Sequence, residues 1–160
     1  MKIRRVVANN RRKAFEVSTA RRTFLFPFVK CHPQPLPGDR VVRVFPDPEI
    51  GREGFTYELT SGAEGTVHMD HVLEYNKDPE YLKNKALYLL TIAARQRVQS
   101  SGLSNRELIR RLGTSASQYY RLLDQTNYRK SLGQLLALLD ILDCEVDFVV
   151  RDRPLKRTGS

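Results

Sequence analysis

Three times between residues 104 and 134, a serine is followed three residues later by Glu or Gln. The pairs are Ser104 with Glu107, Ser115 with Gln118, and Ser131 with Gln134. In such a pair the serine oxygen takes a free amide at a helix start, and the longer side chain reaches back to the serine amide. Each pair precedes an amphipathic run. Leu108, Ile109 and Leu112 share one face of the first; Tyr119, Leu122 and Leu123 share one face of the second; "LGQLLALLDIL" is the third. Between the first two, Gly113 stands where a helix needs a left-handed residue to stop. The spacing predicts three short helices, the first two joined by a tight corner. Helices of about two turns are unstable alone, so these must pack on flanking helices. The corner then holds the second helix at a fixed angle with its outer face projecting, a helix-turn-helix arrangement.

A longer helix is predicted upstream. Asp78 suits its cap, Pro79 its first position and Glu80 the positive end of its dipole. Apolar residues recur at Leu82, Ala86, Leu89, Leu90 and Ala93, and again at Leu87, Ala94 and Val98, before Gly102 ends the run. Residues 1–75 read differently. "KIRRVV", "AFEVST", "TFLFPFVK", "RVVRVF", "FTYELT" and "GTVHMDHVLEY" are β-branched and aromatic runs separated by turn clusters. They predict five or six strands and no helix, with Pro27 marking an edge or a bend. The expected fold class is α+β. A β-rich domain spans 1–76, and a helical domain over 78–150 ends in a short strand, "EVDFVV", at 145–150. A basic tail, 151–160, is expected to be disordered.

Charge is unevenly spread. The chain carries a formal +9, and residues 95–130 hold eight basic side chains against Glu107 and Asp124. A basic face that coincides with a helix-turn-helix pattern points to a polyanion. No apolar run is long enough to span a membrane. The basic N-terminus lacks the apolar stretch of a secretory signal. Cys31 and Cys144 read as reduced thiols, so a cytoplasmic location is expected.

Residues 88–143 resemble the lambda-repressor-like, Cro/Xre-type helix-turn-helix proteins. The resemblance rests on Ser104, Glu107, Leu108, Ile109, Leu112, Gly113, Ser115, Ser117, Tyr119, Arg121 and Leu122 at the family's spacing. Ile109 and Tyr119 are bulkier than the family's usual residues there, which predicts slightly wider helix spacing. The whole chain is also similar, less specifically, to bacterial Xre-type regulators and to HigA-like antitoxins. The resemblance implies sequence-specific binding of double-stranded DNA by a transcriptional regulator, in the repressor sense. The second helix, about 115–125, would enter the major groove. Ala116, Ser117, Gln118 and Arg121 would meet base edges: Gln suits adenine, Arg the O6/N7 edge of guanine, and Ala a thymine methyl. Asn105, Ser115, Tyr120, Tyr128, Arg129 and Lys130 would hold phosphates. One such module reads few base pairs, so a homodimer is expected. The 145–150 strand, or Tyr81, Leu82 and Tyr88, would supply its interface; alternatively, the strand adds to the chain's own sheet. The alternative function is an antitoxin whose β domain binds a toxin and whose helices autoregulate its operon.

Other chemistries find little support. The arginine pairs at 4–5, 11–12 and 21–22, with Phe24, Phe26 and Phe28, would suit RNA only if those rings were exposed. "HMDH" at 68–71, with Cys31 and His32, lacks the usual spacing of a zinc site. On a strand, His68 and His71 would face opposite ways. No glycine-rich phosphate loop or nucleophile motif appears, so neither an enzyme, a metal nor a cofactor is expected.

Overall fold

A computed structural model describes residues 1–154. The chain divides into two compact units, Met1–Lys83 and the residues from Asn84 onward.

The first unit holds two antiparallel three-stranded sheets. One has the order β1 (Ile3–Asn9), β2 (Ala14–Thr19), β3 (Thr23–Pro27); the other has β4 (Val41–Pro46), β5 (Gly54–Leu59), β6 (Glu64–His68). The strands lie where period-two patterning predicts. Pro27 ends the edge strand β3, and a single 3-10 turn, Phe28–Lys30, follows it. The two sheets enclose one core. Phe15 is fully buried at its centre, with ring centroids 5.0 Å from Phe28, 4.8 Å from Phe55 and 5.1 Å from Tyr57. Tyr57 lies over Gly65, its partner on β6; a Cβ there would fall 2.3 Å from the phenol oxygen, so this cross-strand pair requires glycine.

The run "GTVHMDHVLEY" departs from the expected strand. It leaves β6 at His68 and becomes helix α1, Met69–Tyr75. Met69, Val72 and Leu73 are buried, a spacing of three and four that matches a helix face and not an alternating strand. His68 is extended at the helix start and His71 lies within α1, with ring centroids 6.4 Å apart.

Helix α2 (Pro79–Ser100) begins in the first unit, and the unit boundary falls inside it. Asp78 accepts from the Tyr81 amide at 3.1 Å, the cap its position predicts. Its buried face is narrower than expected. Leu87, Thr91 and Ala94 are buried, whereas Leu82, Tyr88 and Leu89 are exposed. The second unit then adds α3 (Asn105–Leu112), α4 (Ala116–Leu123) and α5 (Leu132–Ile141). Leu87, Ala94, Leu108, Tyr119, Leu122, Leu135, Leu138 and Leu139 form its core.

The expected strand at 145–150 does not form. Among the described residues no strand follows β6, and 145–150 is irregular. Val146 packs on the helical core, but Phe148, Val149 and Val150 are 75%, 75% and 98% exposed. Alternating residues make a strand only against a free sheet edge, and the second unit contains helices alone. Of the expected tail, 151–154 is exposed and irregular, and 155–160 lies outside the described residues.

Candidate nucleic-acid interface

The three serines cap as the sequence predicts. Ser104 Oγ accepts from the Glu107 amide at 3.1 Å, Ser115 Oγ from the Gln118 amide at 3.2 Å, and Ser131 Oγ from the Gln134 amide at 3.3 Å. The return half of the first two boxes is not made. The Glu107 carboxylate instead accepts from Arg110 Nε at 3.0 Å and Arg111 Nε at 2.9 Å, and these bonds lower its pKa to about 2. Gln118 Oε1 accepts from Thr114 Oγ1 at 2.7 Å. Guanidinium donors three and four residues along the helix offer charge-assisted bonds, which are stronger than one to a neutral amide.

Gly113 makes the corner. It is left-handed at φ 69°, ψ 34°. Its amide donates to Arg110 O at 3.2 Å, and the Thr114 amide donates to Ile109 O at 3.4 Å. Those crossed bonds close α3 in the manner of a Schellman stop and turn the chain directly into α4.

Helix α4 has two distinct sides. Tyr119 and Leu122 are buried, while Ala116, Ser117, Gln118, Tyr120 and Arg121 are exposed. The four residues expected to meet bases therefore lie together on the outer side, over one turn and a half of helix. Among the described residues, Arg121 has no carboxylate partner. Asp124, the nearest candidate along the chain, instead accepts from the Thr126 amide at 2.9 Å and the Thr126 hydroxyl at 2.8 Å. Gln118, Arg121, Asn127 and Arg129 line one shallow depression of about 270 Å³, with Thr114 and Ser131. A guanidinium pair beside two helix starts suits an anion.

The six residues expected to hold phosphates separate into groups. Ser115, Tyr120, Tyr128 and Arg129 are exposed. Asn105 is exposed too, but its Oδ1 accepts from the buried Tyr119 hydroxyl at 2.8 Å, leaving only its amide nitrogen for a phosphate. Lys130 is turned inward, and its expected role needs correction. Its ammonium donates to Thr91 Oγ1 at 2.9 Å, Leu122 O at 2.9 Å and Asp124 O at 2.6 Å. An ammonium has three donors, and all three are engaged. Partial burial lowers its pKa.

Lys130 belongs to a set that residue-by-residue reading missed. Helix α4 ends without a glycine, so its last carbonyls need other partners. Asn127 Nδ2 donates to Arg121 O at 3.2 Å, Lys130 to Leu122 O, and Arg95 Nη1 to Leu123 O at 2.9 Å. Arg95, on α2, thus closes the end of α4. One signal was available: Thr91 and Arg95 are four apart and share a helix face, and Thr91 interrupts an otherwise apolar row.

Among the described residues no helix is long and apolar enough to cross a membrane, and no three His, Cys, Asp or Glu side chains gather as a metal site would need. Phe24, Phe26 and Phe28 are all buried, so they offer RNA no stacking surface.

A capped helix, a left-handed glycine corner and a second helix with an exposed polar face carrying Arg121 define a helix-turn-helix unit. Residues 95–147 match the family model of the Cro/C1-type HTH DNA-binding domain. Neither a curated protein nor a solved structure was found to match the chain.

Proposed function

We propose that the protein is a transcriptional regulator that binds double-stranded DNA by sequence, with α4 in the major groove. The observation that carries this reading is the outer face of α4. Gln118 and Arg121 project from it, and the Arg121 guanidinium has no carboxylate partner among the described residues. Ala116, Ser117, Gln118 and Arg121 are the base-reading residues of this proposal. Ser115, Tyr120, Tyr128, Arg129 and the Asn105 amide are its phosphate contacts. Functionally the chain divides into a β-rich domain, 1–76, for a ligand or partner, and a DNA-reading domain, 78–150.

A homodimer forms part of the proposal. The run Phe148–Val150 is apolar, exposed and in no strand, and a second copy could complete a two-stranded ribbon there. Two copies would read two half-sites about 34 Å apart.

Selection of bound duplexes from a random pool tests the reading. A two-fold symmetric motif is expected. Arg121→Ala should weaken binding to that motif by about 1–3 kcal/mol and relax preference at one base pair. Equal affinity for all duplexes, before and after the change, would overturn it.

A further inference from the structure

The first unit contains a cavity that DNA binding does not use. Its volume is about 520 Å³. That lies within the range of single small-molecule sites, roughly 300–1,000 Å³. The buried Phe28 is one of its lining residues. Val29 and Leu36 border it and stay 67% and 52% exposed. Arg12, Lys13 and Arg40 supply the cationic part of the lining, and no carboxylate lines it.

The walls are held by hydrogen bonds. The Phe28 amide donates to Lys13 O at 2.8 Å, and the Tyr57 hydroxyl donates to Pro33 O at 2.6 Å. Leu36 and Asp39 exchange backbone bonds of 3.0 Å in both directions, and Arg40 Nε donates to Pro37 O at 3.2 Å. Nearby carboxylates are occupied elsewhere. Asp39 accepts from Thr60 Oγ1 at 2.9 Å, the Ser61 amide at 2.8 Å and Ser61 Oγ at 2.7 Å. Glu16 accepts from Asn9 Nδ2 at 2.8 Å. Among the described residues neither Arg12 nor Lys13 has a carboxylate partner.

We propose that this cavity binds a small amphipathic organic acid, an aryl or medium-chain carboxylate. Its apolar body would cover Phe28, Val29 and Leu36, and its carboxylate would lie among Arg12, Lys13 and Arg40. An apolar ligand without charge leaves the cations unused. An inorganic anion leaves the aliphatic side chains wet. A cationic ligand is repelled by all three side chains. One anionic group on an apolar body satisfies both halves of the lining. The cavity lies wholly within the first unit, so the outcome is independent of whether α4 reads DNA.

The test uses the full chain, titration calorimetry and amide chemical shifts. Octanoate and naphthalene-2-carboxylate are the probes; octan-1-ol, octylammonium and acetate are the controls. Saturable one-to-one binding of at least one acid is expected, with shifts centred on residues 27–41. Octanol should bind at least about tenfold more weakly, and octylammonium and acetate should not saturate. Arg12→Gln with Lys13→Gln, which removes no wall bond, should weaken the acid about tenfold and leave octanol unchanged. Val29→Glu, at an exposed position that disturbs no wall bond, should abolish acid binding while preserving the melting temperature. Absence of saturation by both acids, octanol binding as tightly as the acid, or shifts centred elsewhere would overturn the proposal.

Discussion

The Lys130 ammonium donates to the Leu122 carbonyl at 2.9 Å and so closes the end of the helix proposed to read DNA. A residue one position earlier, Arg129, is exposed and faces the depression beside Arg121. Adjacent cations thus do different work. Lys130→Met should destabilise the second unit by about 1–3 kcal/mol, because Thr91, Leu122 and Asp124 all lose a donor. Arg129→Gln should leave stability unchanged. It should lower the slope of log affinity against log salt by about 0.9, the value for one phosphate contact. Urea melts and salt titrations distinguish the two; a normal melt for Lys130→Met would refute the inward role.

Gly113 is needed for its backbone and not for lack of room. No atom lies within 4 Å of a Cβ built there, while its φ is +69°. Gly113→Ala should therefore cost roughly 1 kcal/mol, the usual penalty for a side chain in the left-handed region. Gly113→Asn should cost less, since Asn tolerates that region better. Thermal denaturation of the three proteins gives the order; equal stability of Ala and Gly would contradict it.

The Glu107 pair with Arg110 and Arg111 predicts an acid dependence. The carboxyl's folded pKa lies below its ordinary value of 4.5, near about 2. The folded state thus favours the ionised form. This contribution is fully present above 4.5 and is lost as pH falls toward about 2. Glu107→Gln should accordingly narrow the loss of melting temperature over that window. The group is solvent-exposed, so the effect should be small and should shrink in high salt.

Phe148 and Val149 give the dimer its test. Changing both to serine should leave the helical core intact, since each is 75% exposed. Sedimentation should then show monomers, and affinity for a two-fold motif should fall while single half-sites bind as before. A dimer that survives the change would move the interface elsewhere, with the exposed Leu82, Tyr88 and Leu89 of α2 the next surface to vary.

Local chemistry made most of this fold legible. Ser104, Ser115, Ser131 and Gly113 act through neighbours three to five residues away, so their effects can be read along the chain. Pro27 ends its strand for a similar reason. What could not be read depends on distant partners. Met69 to Leu73 became a helix although the preceding residues alternate, and residues 145–150 lacked the sheet edge that their alternation needs. At the site, the outer face of α4 followed from helical spacing. Lys130 and Arg95 did not, because their acceptors are carbonyls that become available only once α4 ends and the helices pack. Glu107 turned to its arginines because two charges outbid one amide.

The hydroxyl of Tyr119 adds a further constraint. It spans from the interior of α4 to Asn105 at the entrance of α3, so the two helices are tied through a single rigid ring. A tilt of one is passed to the other through that phenol. In the proposed complex the pair should therefore meet a duplex as one stiff unit, with adjustment to imperfect targets left to bending of the DNA.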